Sequence, residues 1–274
     1  MIKASASIVL YNTQESVVLN LLDLLLKSNV IYKIYLIDNS FAPDFKSSYK
    51  SPFVEYIHNN KNIGYGSAHN IAIRLSLKIS KYHFVINPDI LFNSTDIAKL
   101  ISRIDCDDGI GLLMPKIIYP DGELQYLCKL LPTPSDLLIR RFLPSSIKRF
   151  LSNKLDLYEL RFSGYDSEMV IPCLSGCFML LRVSALRDVG LFDERYFMYA
   201  EDFDISRRLH NKYKTIFYPK VTVIHGHAKE SYTSIKMLCI HVFSIVKYFN
   251  KWGWFFDAER NRINAETLDR LGYK

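Results

Sequence analysis

The chain lacks any long uncharged run. The longest, Met169–Leu181, is thirteen residues between Glu168 and Arg182, and it contains Pro172 and Gly176. That is too short to span a bilayer. Paired cysteines are also missing. Cys106, Cys128, Cys173, Cys177 and Cys239 are odd in number and irregular in spacing, which speaks against a disulfide framework and a zinc cluster and fits reduced, mostly buried thiols in the cytoplasm. No internal repeat or low-complexity linker divides the chain. No Ser-His-Asp or Cys-His arrangement offers a nucleophile, and the strand-to-helix serine of a hydrolase elbow is absent. Basic residues are not interleaved with stacking aromatics, so no nucleic acid partner is expected. Met1-Ile2-Lys3 leads straight into a strand pattern, so no signal peptide is expected.

What is present is a large apolar fraction and an excess of basic charge. Of 274 residues 49% are hydrophobic, enough for a substantial core, and 35 basic against 28 acidic residues give +7. That balance favours anionic partners such as nucleotides or phospholipid.

The first half alternates strand and helix signals. Residues 5–11 read as a strand and 14–27 as a helix, with Thr13 as its cap and Leu19, Leu22, Leu25 and Leu26 on its apolar face. Strands follow at 34–37 and 54–57, a helix at 66–79 and a strand at 83–86. This β-α-β-β-α-β order predicts a mostly parallel sheet with helices on its faces. Further strands are expected at 110–118, 171–182, 214–217 and 221–224, a tight turn at Pro120-Asp121-Gly122, and helices at 184–189, 201–211 and 234–250. Residues 1–230 read as one domain and 231–274 as a helical appendage.

Two acidic motifs stand out. Asn87-Pro88-Asp89 closes the apolar run His83-Phe84-Val85-Ile86, at the kind of strand end where open α/β sheets bind ligands. Glu201-Asp202-Phe203-Asp204 opens a predicted helix, where the dipole favours ionised carboxylates. One carboxylate to hold a metal and another to take a proton suit a sugar-transfer enzyme; a capping cluster of acids is the plain alternative.

Taken in order, Ser7-Ile8-Val9-Leu10-Tyr11-Asn12, Ile37-Asp38-Asn39-Ser40, Asn62-Ile63-Gly64-Tyr65-Gly66 with Asn70, Asn87-Pro88-Asp89, Asp121-Gly122, Ser175-Gly176, Gly190-Leu191-Phe192-Asp193-Glu194, Glu201-Asp202-Phe203-Asp204 with Arg207, and His225 resemble a family 2 glycosyltransferase. The resemblance covers roughly residues 4–230 and is greatest to bacterial rhamnosyltransferases of surface polysaccharides. It implies a GT-A fold, a Rossmann-like, mostly parallel sheet flanked by helices, here followed by a C-terminal amphipathic helix.

The same resemblance implies roles. Asp38 would accept from the N3–H of uracil or thymine, or serve only as a turn cap. Tyr11, Asn12 and Asn39 would line that pocket. Gly64 and Gly66 would let the backbone approach a diphosphate at a helix N-terminus, with Asn70 fixing the nucleotide edge or packing. Asp89 and His225 would hold Mg²⁺ or Mn²⁺, and His227 is a weaker substitute for His225. Asn87 departs from the family's metal motif, which has an acid there. Asp202 would be the general base against the acceptor hydroxyl, giving inversion. Glu201 and Asp204 would orient the acceptor or pair with Arg207 and Arg208, and Asp193 would lie near the acceptor cleft.

Between Lys129 and Lys154, basic residues (Arg140, Arg141, Lys148, Arg149) alternate with apolar ones (Leu137, Leu138, Ile139, Phe142, Phe150). The last helix carries Ile235, Leu238, Val242, Ile245, Val246 and Phe249, then Trp252, Trp254, Phe255 and Phe256. Both compositions suit an anionic bilayer surface or packing on the core or another subunit. The function expected is transfer of L-rhamnose from dTDP-rhamnose to a polyprenyl-diphosphate-linked glycan at the cytoplasmic face of the inner membrane. A UDP-sugar donor, or nucleotide-sugar binding without catalysis, remains open.

Overall fold

The computed structural model describes residues 4–42, 45, 51–137, 152–226 and 235–273. Residues 138–151, which hold most of the basic and apolar stretch, and His227 lie outside them. Among the described residues nine strands build one sheet. They are β1 Ala4–Leu10, β2 Ile31–Asp38, β3 Val54–His58, β4 Tyr82–Ile86, β5 Ile90–Leu91, β6 Ile110–Ile118, β7 Met169–Val170, β8 Phe178–Arg182 and β9 Lys214–His225. Their order is β3-β2-β1-β4-β8-β6-β9-β5, with β7 paired to β9. The first four strands are parallel, as the alternating pattern predicts. β8 enters antiparallel between β4 and β6, and β6 and β9 run parallel again.

The helices are α1 Glu15–Lys27, α2 Tyr65–Ser76, α3 Asp96–Asp105, α4 Ser152–Tyr158, α5 Val183–Val189, α6 Glu201–His210, α7 Ile235–Trp252 and α8 Ala258–Arg270. β1 and β4 are buried almost throughout, as central parallel strands are, and their polar members Ser5, Ser7 and His83 meet one another at 2.8 Å. α1 closes one face with Val18, Leu21, Leu22 and Leu25. Leu19 points outward instead, and the cap position falls to Gln14 without a side-chain bond. Thr13 accepts from the Tyr11 amide at 3.1 Å and so holds the turn, not the helix.

Two late strands anticipated separately are one. β9 passes through Pro219 by a register shift against β6, because a bulge tolerates a residue with no N–H to give the ladder. The strand expected over 171–182 is confined to Phe178–Arg182 at its end. The preceding residues turn beneath α6, with Gly176 set against Asp202. α3 and α8 were not anticipated. α3 buries Ile97, Leu100, Ile101 and Ile104 on one stripe. α8 buries Ile263 with Arg260 and Thr267, and Asp257 caps it by accepting from the Arg260 amide at 2.9 Å.

Residues past 230 are bound into α6. Arg207 on α6 donates to Asp257 at 2.7 and 2.8 Å and to Glu259 at 2.8 Å, and its guanidinium lies 4.2 Å over the Trp252 ring. Trp252 and Trp254 are therefore not a solvent-facing belt. Both pack against the core, whereas Phe255 and Phe256 are exposed. No helix among the described residues is long and apolar enough to cross a membrane.

Candidate active site

The carboxyl ends of β1, β2 and β4 lie on one sheet edge, and their loops gather there, as parallel strands require. At the end of β2, Asp38 is 1% exposed. One oxygen accepts from the Ser40 amide at 2.8 Å and the other from the Tyr56 hydroxyl at 2.8 Å. The carboxylate thus stiffens its own turn, while each oxygen keeps a second lone pair. Asn39 donates to Gly64 O and to Asn62 and accepts from Asn59, fixing the 59–64 loop to β2. Asn12, at φ 50°, donates its amide to Ser40. Tyr11 beside it is half exposed.

The glycines before α2 serve a different contact from the one expected. A Cβ on Gly64, at φ +91°, would sit 2.5 Å from Phe197 O. One on Gly66 would sit 2.9 Å from Phe192 Cβ. The Tyr65 amide already donates to Phe197 O at 2.9 Å. The close approach that glycine permits here is to the 192–197 backbone. Of the two roles expected for Asn70, the contacts present are those of packing. Its side chain donates to Phe192 O at 2.8 Å and to Glu194 at 3.0 Å and accepts from the Phe192 amide at 3.0 Å, so both of its N–H groups prop that loop.

Tyr65 is the hub of the site. Its hydroxyl lies 2.9 Å from Asn87 Oδ1 and 2.7 Å from Gly176 O. Gly176 in turn donates its amide to Asp202 at 3.2 Å. Burial raises the tyrosine's pKa well above its ordinary value, and the nearby Cys177, Glu201, Asp202 and Asp89 add to it. The proton therefore stays on oxygen, and Tyr65 acts as a fixed strut between the two acidic motifs.

On one side of Tyr65 stand Asn87, Asp89 and His225. His225 Nε2 is 3.5 Å from Asp89 Oδ1 and 3.2 Å from Asn87 Nδ2. Its other ring nitrogen is 3.0 Å from Gln125 Oε1, a partner the sequence did not reveal. Gly226 leaves room for Asp89, whose Oδ2 would lie 3.5 Å from a Cβ there. An imidazole with its far nitrogen held by an oxygen, facing a carboxylate, is the usual dress of a metal-ligating histidine. Asp89 and His225 fit a divalent cation as a two-residue set. No group of three or more His, Cys, Asp or Glu suited to a metal occurs among the described residues.

On the other side stands the start of α6. Tyr199 precedes it at φ 87°, a region that costs a bulky L-residue on the order of 1–3 kcal/mol. Glu201 is 4% exposed, and its Oε2 is buried with no hydrogen-bond partner. Burial raises its pKa, and the Asp202 charge adds to that. Asp202 accepts from the Phe203 amide at 2.8 Å as well as from Gly176. Its pKa is also raised by burial, opposed chiefly by Lys129. Lys129, 6% exposed, is a site residue that sequence reasoning had counted with the surface stretch.

Asp204 and Asp193 lie elsewhere. Asp204 is wholly buried. It accepts from Arg208 at 2.8 Å, Trp252 Nε1 at 2.8 Å and Lys251 at 2.6 Å. Of the two roles expected for it, pairing with Arg208 is the one present. Arg207 pairs with Asp257 and Glu259 rather than with the acids of its own motif. Asp193 is held by Arg195 at 2.6 Å and Lys251 at 2.9 Å. These cations keep its carboxyl well below the usual range, Arg195 first. It belongs to the clamp between α7 and the 193–195 loop, which leaves it no role toward an acceptor.

No protein-family model matches the chain. It is 30% identical over 188 residues to the N-acetylglucosaminyl-diphospho-decaprenol L-rhamnosyltransferase of Mycobacterium tuberculosis, covering 65% of this chain and 60% of that protein. It is 26% identical over 218 residues to the rhamnosyltransferase WbbL of Escherichia coli, covering 76% of this chain and 75% of that one. The chain thus spans about 60% of the length of its mycobacterial relative. Among solved structures, GalNAc-T7 with UDP, GalNAc and Mn²⁺ superposes with a TM-score of 0.58 at 17% identity, over 82% of this chain and 43% of that one. The fold is the GT-A architecture of these solved glycosyltransferases, and in sequence the chain is similar to rhamnosyltransferases.

Proposed function

We propose that the protein is an inverting glycosyltransferase that moves L-rhamnose from dTDP-rhamnose to a polyprenyl-diphosphate-linked glycan. One observation carries the reading: Tyr65 ties the Asn87–Asp89 turn and Gly176 together, and Gly176 holds Asp202. A donor site and an acceptor site are thereby set side by side. The rhamnosyltransferase relatives support the sugar, and the mycobacterial one supports the lipid-linked acceptor.

In this reading Asp202 takes the proton of the acceptor hydroxyl. Burial raises its pKa and makes it a better base than an ordinary aspartate. Two backbone amides aim the carboxylate, and the Lys129 charge favours its ionised form. With a single base on the face opposite the leaving group, displacement inverts the anomeric carbon. Asp89 and His225 would hold a divalent cation, which when bound neutralises the departing diphosphate. Asp38 and Asn39, at the end of β2, would face the base, and Tyr11 beside them is exposed enough to lie against it. Glu201, kept neutral by burial, leaves Asp202 as the charged member of the pair. Exposed Phe243, Phe255 and Phe256 support contact with the membrane surface that carries a lipid-linked acceptor.

The test is a donor panel. dTDP-rhamnose, UDP-galactose, UDP-glucose and UDP-N-acetylglucosamine are compared by ligand-induced thermal shift with Mn²⁺, Mg²⁺ or EDTA, since a ligand raises the melting temperature with its occupancy. A metal-dependent shift selective for dTDP-rhamnose, with transfer to a lipid-linked glycan, is expected. A shift selective for a UDP-sugar would keep the chemistry and replace the donor. Donor binding without transfer to any glycan would turn the reading to nucleotide-sugar binding alone.

A further inference from the structure

The amide at position 87 has an orientation that its neighbours dictate. The His225 backbone carbonyl can only accept, so the Gln125 atom 2.9 Å from it is the Nε2 donor. The same end of Gln125 faces Ile118 O at 3.4 Å, which agrees. Gln125 Oε1 therefore faces His225 Nδ1 at 3.0 Å and can only accept from it. Nδ1 carries the ring hydrogen, and in the neutral ring Nε2 carries the lone pair. Asn87 Nδ2 sits 3.2 Å from that lone pair, and it is this contact that sets the amide, because the single Tyr65 hydroxyl hydrogen is shared between Asn87 Oδ1 at 2.9 Å and Gly176 O at 2.7 Å. The reverse orientation would set an oxygen against the lone pair.

We propose that Asn87 competes with the cation for His225. This rests on the reading of Asp89 and His225 as the cation site. Asn87 donates its N–H into the lone pair a cation would use, so loading requires the amide to turn away. Affinity in the absence of donor is then lower than Asp89 and His225 would provide alone, and loading leans on the oxygens that a diphosphate brings. Gln125 is the positioning residue that keeps Nε2 the accepting nitrogen.

The experiment titrates Mn²⁺ into the full chain without donor, following free Mn²⁺ by electron paramagnetic resonance. Asn87→Ala removes the competing N–H and adds no ligand, and Tyr65 keeps Gly176 O as its acceptor at 2.7 Å. Its affinity is expected to rise about five-fold, the equivalent of one neutral hydrogen bond. Asn87→Asp, which adds a ligand, is expected to bind tighter still. Gln125→Leu is expected to weaken binding by about ten-fold or more. Asn87→Ala binding no tighter than wild type, with Asp89→Ala abolishing binding, would overturn the competition and leave the cation reading intact. Equal binding by Asp89→Ala and wild type would overturn both. A second readout needs no metal: in protein with ¹⁵N-labelled histidine, His225 is expected as the Nδ1–H form, and an Nε2–H form in wild type would overturn the proposal.

Discussion

Asp202 and Asp204 stand two residues apart at the start of α6, yet they meet opposite surroundings. Asp204 faces inward and is met by Arg208, Lys251 and Trp252. Asp202 faces the Gly176 turn and receives two backbone amides and the field of Lys129. The first carboxylate is neutralised in place and holds the fold. The second is aimed but left available, which is what a base needs. A helix start favours both as anions, so what separates them is the partner on each face.

Substitution can break this contrast. Asp202→Asn retains an oxygen for one of the two amides and is expected to lower transfer on the order of 10²–10⁴-fold. Its melting temperature should stay close to wild type, measured beside initial rates. Asp204→Asn is expected to do the reverse. It strips the negative partner from Arg208 and Lys251 in a dry setting, at about 3 kcal/mol in urea unfolding. That sits at the low end for a broken buried pair, because Lys251 retains Asp193 and Arg208 retains the carbonyls of Val189, Gly190 and Leu191. Rates per folded molecule should barely change. Trp252→Phe removes one donor to Asp204 and should cost about 1.5 kcal/mol.

A pH-dependent effect sharpens the Asp202 side. Glu201 has a raised pKa in the folded chain, so the folded state holds its proton where the unfolded chain has lost it. Stability is then unaffected below the ordinary glutamate range and falls as pH rises from that range toward the raised value. Glu201→Gln is expected to flatten that fall in unfolding free energy measured against pH. An unchanged slope would show that Glu201 ionises normally.

The sequence carried the parallel half of the sheet plainly, because β1 and β4 are short, mostly apolar and uncharged runs and α1 repeats its leucines at helical spacing. It also carried Asn87-Pro88-Asp89 and Glu201-Asp202, since short motifs at element ends are visible without the third dimension. α8 was hidden because its buried stripe is Arg260, Ile263 and Thr267, held by an ion pair rather than by apolar periodicity. The pairing of Asp204 with Arg208 was legible at helical spacing, but its other partners were hidden for a related reason: Lys251 and Trp252 lie almost fifty residues further on. The glycines before α2 misled because a loop that admits a phosphate and one that admits another backbone look alike in sequence. Gln125, Lys129 and Tyr65 have no signature at all, since each matters only through what it touches.

The crossing at Gly64 has one more implication. α2 is riveted to the 192–197 loop at its first amide, at Asn70 and again by Arg74 against Glu194, and that loop runs directly into α6. α2, which reaches the Asn87–Asp89 turn through Tyr65, and α6, which bears Asp202, thus meet along one continuous seam. Their separation is a constant of the architecture, and whatever motion admits or releases ligands must be taken up outside this seam.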